Sequence, residues 1–150
     1  MRGKDVLRLL RADSQLASTQ VEVVIAGEED DWPELFTRPA AYVINADHHW
    51  LGLYFHEDGT ATYWDSYGTP PLDSIFRWTN KRCVKPIRYN ALCLQSPISD
   101  VCGLYVAFFI RMLNRGYDLS DIHKFFNGVN LLYNDTLVLS LFEKENEGTA

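Results

Sequence analysis

The chain has 150 residues, of which 47% are hydrophobic, and its 14 lysines and arginines against 20 aspartates and glutamates give a formal charge of -6. A chain of this length buries roughly 70% of the surface that it exposes when unfolded, so disordered and fibrous proteins are excluded and no disulfide or metal is needed to hold a core. The acidic balance argues against nucleic acid as the main partner, because phosphate groups are bound by a positive field. We predict a single domain over residues 1–150.

The sequence shows no signal for export or membrane insertion. The longest uninterrupted apolar run, residues 104–110, is far shorter than the roughly 20 residues that cross a bilayer, and residues 1–5 lack the apolar region of a signal peptide. Cys83, Cys93 and Cys102 form no Cys-x-x-Cys pair, and an odd number of cysteines suits a reducing compartment. We expect an intracellular monomer that is neither secreted nor bound to a membrane.

The first part of the chain indicates a helix followed by two strands. Residues 6–16 place apolar side chains on one helical stripe after Asp5, a residue type that caps helices. Apolar runs at residues 21–26 and 41–45 are typical of strands. An acidic stretch at residues 28–34 and a basic stretch later in the chain are interpreted as two solvated faces, with an acidic partner for the basic stretch as the alternative. The basic residues are Arg77, Lys81, Arg82, Lys85 and Arg88.

A β-hairpin follows these strands. Residues 50–56 and 60–65 flank Glu57-Asp58-Gly59, which is typical of a three-residue loop with its glycine in the left-handed conformation. In that register Phe55 pairs with Ala61.

The hairpin register decides which side chains share a face. A three-residue loop places His49 and Asp65 diagonally across from each other on one face, within reach of their side chains, whereas a two-residue loop would send them to opposite faces. We predict that this face is the buried one. It carries His49, Leu51, Leu53, Phe55, Ala61, Tyr63 and Asp65, and the other face carries Trp50, Gly52, Tyr54, His56, Thr60, Thr62 and Trp64.

The second half of the chain is mainly helical. Residues 72–78 indicate a short helix and residues 86–94 a further strand. Residues 100–115 form a helix that is apolar on nearly every side and therefore central, closed by Gly116. Two more segments follow, a helix at residues 120–127 that begins with Ser120 and ends before Gly128, and an apolar segment at residues 136–142.

Cys102 lies in the first turn of the predicted central helix. Helix N-termini stabilise anions, so a thiol there, especially beside an imidazolium, can be a thiolate near neutral pH. The adjacent Gly103 allows another backbone or a substrate to approach closely. The alternative interpretation is that Cys102 is a small buried hydrophobic residue.

His49, Asp65 and Gln95 complete a candidate site. A carboxylate beside His49 would fix its tautomer and stabilise its charged form, although a single histidine beside a strand is more often structural. Gln95, seven residues before Cys102, ends a predicted strand, and its amide could donate a hydrogen bond to an oxyanion together with the Cys102 backbone N–H. Together these residues fit a thiol acyl-transfer site. A metal site is not expected, because the histidines and cysteines lie too far apart to converge on one ion.

Four motifs in order then resemble a known family. The segments His49-Trp50, Asp65-Ser66-Tyr67-Gly68, Gln95-Ser96-Pro97 and Cys102-Gly103-Leu104-Tyr105 are similar to the adenoviral protease (adenain) family and to the ubiquitin-like-protein proteases of the same clan. Residues 134–138 are also similar to proteases of adenovirus-like elements and virus-like DNA transposons. The resemblance is clear over residues 41–113.

The resemblance implies a papain-related α+β cysteine protease fold, in which a central helix packs against a mixed or antiparallel sheet. It implies that Cys102 is the nucleophile, His49 the general base and then acid, Asp65 the residue that orients His49, and Gln95 the oxyanion donor. Adenoviral members usually have glutamate at the position of Asp65, whereas the ubiquitin-like branch has aspartate. The short chain and the Gln95-Ser96-Pro97 segment favour the viral branch.

The resemblance also implies a substrate class. Members cut polypeptides after small residues, often at sites that contain glycine, and viral members mature capsid and core precursors. The expected location is then the nucleus or cytoplasm of a host cell, or a virion. Two alternatives remain: an isopeptidase acting on ubiquitin or SUMO-type modifiers, and a catalytically retired homologue that binds peptides.

Activation by a partner is a further implication of the resemblance. No cofactor is required by the sequence, but some adenoviral enzymes are activated by DNA and by a peptide joined through a disulfide. Cys83 lies near the place that such a link needs, so an activating peptide is one hypothesis for Cys83 and an ordinary thiol is the other. A set of aromatic residues is interpreted as core and hairpin packing rather than a base-stacking platform. These are Trp50, Trp64, Tyr67 and Trp78.

Overall fold

A computed structural model describes residues 1–97 and 100–148, and the side chains of residues 1–97 and 100–143. Ten helices and strands follow one another in this part of the chain, which is therefore of the α+β class, as predicted. They are α1 (Gly3–Arg11), β1 (Gln20–Ile25), β2 (Ala40–Ala46), β3 (His49–Phe55), β4 (Ala61–Trp64), α2 (Asp73–Asn80), β5 (Arg88–Tyr89), α3 (Cys102–Asn114), α4 (Leu119–Phe125) and α5 (Leu131–Gly148). Single-turn 3₁₀ helices lie at Ser14–Leu16 and Glu29–Asp31.

The five strands of the described residues form one mixed sheet in the order β1-β2-β3-β4-β5. The pairs β2–β3 and β3–β4 are antiparallel, and the outer pairs β1–β2 and β4–β5 are parallel. The central strand β3 is therefore covered on both edges for most of its length. Its first residue, His49, lies at the end of the sheet where β3 pairs only with β2.

The hairpin between β3 and β4 has the predicted register. Phe55 pairs with Ala61, and the His56 N–H donates to the Thr60 carbonyl at 2.9 Å. Gly59 has φ 91°, the left-handed conformation that the three-residue loop requires. Loop length thus fixed the register, as the sequence indicates.

The prediction that only one face of this hairpin is buried is wrong, because both faces are buried. The predicted face packs against α2 in one core cluster, which includes Leu53 and Tyr63. The opposite face packs against α3 in a second cluster, which includes Tyr54 and Trp64. The burial of the second face is not recognisable from the sequence, because the glycine and aromatic residues of that face do not form a simple apolar alternation.

Helix α3 packs directly on the middle of the sheet. It is buried along almost its whole length, as its all-round apolar sequence predicts. Gly52 of β3 permits the contact, because a Cβ at that position would lie 2.9 Å from a ring carbon of Phe109 and 3.3 Å from Val106. The helix begins at Cys102 rather than at residue 100, which places Cys102 at the first helical position.

Several predicted helix ends are corrected by the structure. Helix α1 begins earlier than residue 6, and Asp5 lies inside its first turn, where its carboxylate accepts the Arg2 N–H at 2.9 Å. Helix α4 is capped by Asp118, which accepts the Asp121 N–H at 2.9 Å, rather than by Ser120. Near the start of α4 both Asp118 and Ser120 are residue types that cap helices, and the hydrogen bond to Asp121 shows that Asp118 is the cap.

The predicted strand at residues 86–94 is largely wrong, since only Arg88–Tyr89 pair with β4. After Tyr89, hydrogen bonds from the Asn90 side chain take the place of backbone pairing between strands. Its amide oxygen accepts the Asp65 N–H at 2.9 Å, and its amide nitrogen donates to the Asp65 carbonyl at 2.5 Å. A side chain that bonds both backbone groups of a residue ends strand pairing there.

Most residues of the two charged stretches are exposed, as predicted, but the stretches are not separate, because they meet in an ion pair. Arg82 forms an ion pair with Glu34 at 2.9 Å, and the Ser74 hydroxyl donates to the Glu29 carboxylate at 2.8 Å. Part of the basic stretch is therefore neutralised by the acidic stretch of the same chain.

Candidate active site

His49 and Asp65 meet at the end of the sheet. His49 is the first residue of β3, Asp65 directly follows β4, and the distance from His49 Nε2 to Asp65 Oδ1 is 2.8 Å. The side chain of Asp65 is 6% exposed and that of His49 is 21% exposed. The same Asp65 oxygen also accepts the Tyr67 N–H at 2.9 Å, and this fixes the carboxylate in front of the ring.

Cys102 lies beside His49. Its side chain is buried, its sulfur accepts the N–H of Trp50, the residue after His49, at 3.4 Å, and the His49 imidazole acts to lower the pKa of its thiol. Since Asp65 engages Nε2, Nδ1 is the ring nitrogen left for the thiol. The arrangement brings together a thiol, an imidazole and a carboxylate, in that order.

The surroundings favour an ion pair between these residues. Burial raises the pKa of the Cys102 thiol, but hydrogen bonds from His49 and Trp50 and the charge of His49 outweigh it, so that this pKa lies below its ordinary value. Burial lowers the pKa of His49, but its bonds to Asp65 and Cys102 and their charges raise this pKa to about 9. Both shifts favour the thiolate and imidazolium form of the pair.

Tyr67 covers the imidazole, whereas the sequence predicts only a packing role for this residue. The rings of Tyr67 and His49 are stacked, with centroids 4.8 Å apart and an interplanar angle of 25°. One feature of the sequence could have indicated this role. Tyr67 lies two residues after Asp65, where its backbone N–H reaches the carboxylate. Trp50 was likewise assigned to packing, yet its backbone N–H contacts the sulfur.

Gln95 is fully buried and contacts Ser66, the residue that follows Asp65. The Ser66 hydroxyl donates to Gln95 Oε1 at 2.5 Å, and the Gln95 N–H donates to the Ser66 carbonyl at 3.1 Å. Because its side-chain oxygen is held by Ser66, the amide has one fixed orientation. The N–H of Cys102, at the first position of a helix, has no acceptor within that helix.

Helix α5 supports the segment that carries Gln95. Asn134 Nδ2 donates to the Leu94 carbonyl at 3.0 Å, and Asp135 Oδ1 accepts the Ser96 N–H at 3.3 Å. The Tyr105 hydroxyl of α3 donates to the same Asp135 oxygen at 2.8 Å. These bonds tie α5, α3 and the Gln95 segment together, and no local sequence pattern predicts them.

Of the other two cysteines, Cys83 lies apart from this arrangement, whereas the Cys93 thiol donates to the Gln95 carbonyl at 3.5 Å. Cys83 is half-buried against the core cluster on the α2 face of the sheet, and burial raises the pKa of its thiol while Arg38 opposes the rise. Cys93 is exposed. All three cysteines are unpaired, and a peptide link through Cys83 stays a prediction.

The described residues contain neither a metal-binding cluster nor a membrane-spanning helix. No group of three or more histidines, cysteines, aspartates and glutamates converges in a way that could hold a metal ion. Over the same residues, each helix is too short or too polar to cross a membrane.

The comparisons with known proteins show a likeness in fold. Neither a protein-family model nor a curated protein sequence matches this chain. The crystal structure of ASFV pS273R protease is similar to this structure with a TM-score of 0.55 at 14% sequence identity, over 73% of this chain and 55% of that chain. The crystal structure of its Se-Met form matches over 53% of this chain and 36% of that chain, at 21% identity and a TM-score of 0.45. The chain thus spans about half of the solved protease, and what it shares with that protease is the fold.

Proposed function

We propose that this chain is a cysteine endopeptidase with a papain-related arrangement, similar to the adenain-like proteases. The observation that carries the proposal is the position of Cys102 at the start of a buried helix, with its sulfur 3.4 Å from the backbone nitrogen of Trp50 and so beside His49, whose imidazole a buried carboxylate holds at 2.8 Å. A thiol activated in this way is a nucleophile for acyl transfer. The likeness in fold to a protease agrees with this proposal.

The proposed reaction has two steps. The Cys102 thiolate attacks the carbonyl carbon of a peptide bond, and the His49 imidazolium gives its proton to the leaving amine, which leaves an acyl group on the sulfur as a thioester. Neutral His49 then takes a proton from a water molecule as that water attacks the thioester. The acid product leaves, the thiolate is restored, and His49 is again an imidazolium.

The negative charge that develops on the carbonyl oxygen needs donors. We assign this role to the side-chain amide of Gln95 and the backbone N–H of Cys102. In support, Ser66 holds the amide oxygen of Gln95, so its nitrogen end has a fixed direction. A donor that is fixed before the reaction costs no reorganisation when the charge appears.

The proposed substrates are polypeptides cut after small residues at sites that contain glycine, and the proposed role is the maturation of viral capsid and core precursors. The support is the resemblance of the four motifs and the contact of their residues in the fold. An isopeptidase is the second candidate, because the ubiquitin-like branch of the clan has aspartate at the position of Asp65.

The proposal is tested with a peptide probe that carries a thiol-reactive group after a small residue. We expect labelling of Cys102 in the wild type and loss of labelling in His49→Ala, with Cys93→Ser as a matched control that labels normally. Labelling of neither the wild type nor the control, under reducing conditions and with candidate activators present, would contradict an active peptidase and favour the retired homologue.

Hydrolysis assays separate the two active candidates. We expect the wild type to cleave small-residue peptides and candidate capsid precursors, and Cys102→Ala to cleave neither. Preferential hydrolysis of a fluorogenic conjugate at the C-terminus of a ubiquitin-like modifier would reject the endopeptidase and support the isopeptidase.

A further inference from the structure

Residues 1–3 lie beside the candidate active site, although they are far from it in sequence. They contact Trp50, which follows His49 in strand β3, and Gly103, which follows Cys102 in helix α3. The segment therefore touches both elements that carry the proposed catalytic groups, each at the residue next to such a group. We refer to residues 1–3 as the N-terminal bracket.

The bracket holds the indole of Trp50. The Met1 carbonyl accepts the indole N–H at 3.0 Å. Gly3 lies against the ring, since a Cβ at Gly3 would be 3.1 Å from Trp50 Cη2 and 2.9 Å from a methyl group of Val23. The indole is 6% exposed, so one hydrogen bond and one close contact fix a buried ring.

The bracket also contacts helix α3. A Cβ at Gly103 would lie 2.7 Å from the Met1 sulfur and 3.1 Å from a methyl group of Val6. The first turn of α3 therefore packs against Met1 at the position next to Cys102. In this way the bracket joins the start of the helix to strand β3.

One hydrogen bond of the proposed nucleophile joins the two elements that the bracket contacts. The Trp50 backbone N–H, in strand β3, donates to the Cys102 sulfur, in helix α3, at 3.4 Å. A backbone donor on a sulfur anion stabilises it, provided that the distance is maintained.

We propose that the N-terminal bracket is a positioning element for the nucleophile: it locks Trp50 and the first turn of α3 together and so keeps the Trp50 backbone N–H on the Cys102 sulfur. The proposal rests on the proposed function for its catalytic meaning, but the positioning of the sulfur exists whether or not the chain cleaves peptides. Residues 1–3 and the Trp50 side chain are positioning groups and do not touch the substrate.

The test measures how fast iodoacetamide alkylates Cys102 as a function of pH. A Cys83→Ser, Cys93→Ser background leaves Cys102 as the one reactive thiol. Trp50→Phe keeps an aromatic ring and removes the indole N–H, whereas Gly3→Val displaces the bracket from the ring. The matched control is Gly128→Val, because a Cβ at Gly128 meets nothing within 4 Å.

We expect both bracket variants to move the acid limb of the alkylation profile to higher pH, with a fall of about threefold to tenfold in the rate at pH values on that limb, since each pKa unit there changes the thiolate fraction tenfold. The control is expected to follow the background protein. If Trp50→Phe does not fold, as judged by circular dichroism, Gly3→Val decides.

Profiles of the folded bracket variants that coincide with that of Gly128→Val would overturn the proposal. Peptide hydrolysis measured on the same proteins keeps the two ideas apart. A shifted profile in a chain that hydrolyses no peptide would support the bracket and contradict the proposed function, whereas full hydrolysis with coinciding profiles would support the function and reject the bracket.

Discussion

Asp65 shows how much of the site depends on one carboxylate. It bonds the imidazole through Oδ1, it accepts the Tyr67 N–H, and its own backbone is bonded on both sides by Asn90. The Asp65 side chain is thereby fixed, and its charge helps to keep His49 protonated to about pH 9.

Asp65→Asn is expected to move the alkaline limb of kcat/KM to lower pH. The wild type should lose activity as pH rises through about 9, where His49 loses its proton. Asparagine keeps an acceptor for the ring but removes the negative charge, so the pKa of His49 falls and activity declines earlier. A pH profile with an unchanged alkaline limb would contradict the assignment of that limb to His49.

Gln95→Ala is expected to lower kcat by roughly 10²-fold to 10³-fold with a smaller change in KM, because an oxyanion donor acts mainly in the transition state. Steady-state kinetics on a small-residue peptide measure this. Cys93→Ser is the control, since Cys93 is exposed and lies two residues away in the same segment. Equal activity of Gln95→Ala and the control would remove Gln95 from the proposed mechanism.

Tyr67 offers a graded test of the ring stack. Tyr67→Phe keeps the stacked ring and should retain kcat/KM within about twofold, whereas Tyr67→Ala should lose about threefold to tenfold, the range of an aromatic or cation–π contact. If Tyr67→Phe loses as much as Tyr67→Ala, the hydroxyl rather than the stack is responsible.

At the scale of elements, the site depends on how closely α3 packs on β3. Gly52 allows this contact, because it has no side chain between the strand and the helix. The sequence alone does not predict that α3 packs against this glycine. The helix itself could be predicted from its apolar residues, and the hairpin register from its loop. The support of the Gln95 segment by α5 could not, because it consists of side-chain bonds between residues about 40 positions apart.

Gly52→Val is expected to destabilise the fold by about 1–3 kcal/mol, because a larger side chain must push Phe109 and the helix away. Urea denaturation measures the free energy of unfolding, with Gly128→Val as the control. The same variant should lose activity beyond its loss of stability, since the displaced helix carries Cys102. A stability equal to that of the control would show that the contact with α3 is not tight.

At the scale of the whole molecule, two core clusters sandwich one sheet, and the proposed site lies at the end of that sheet where β3 begins. The order of the motifs along the sequence indicated the candidate residues, and the hairpin and the central helix bring His49, Asp65 and Cys102 to the same end of the sheet. The docking of residues 1–3 and the pairing of the two charged stretches could not be predicted, since both are contacts between distant segments. Local patterns therefore determine the elements and the candidate residues, whereas long-range packing determines what surrounds them.

The central claim is that the Cys102 sulfur carries the acyl group during peptide cleavage. Mass spectrometry of the protein, quenched in acid during turnover of a small-residue peptide ester, tests it directly. We predict an added acyl mass on the peptide that contains Cys102, present in the wild type and absent in Cys102→Ala and His49→Ala. Substrate turnover by Cys102→Ala, or an acyl mass located on Cys83 or Cys93 instead, would contradict the account.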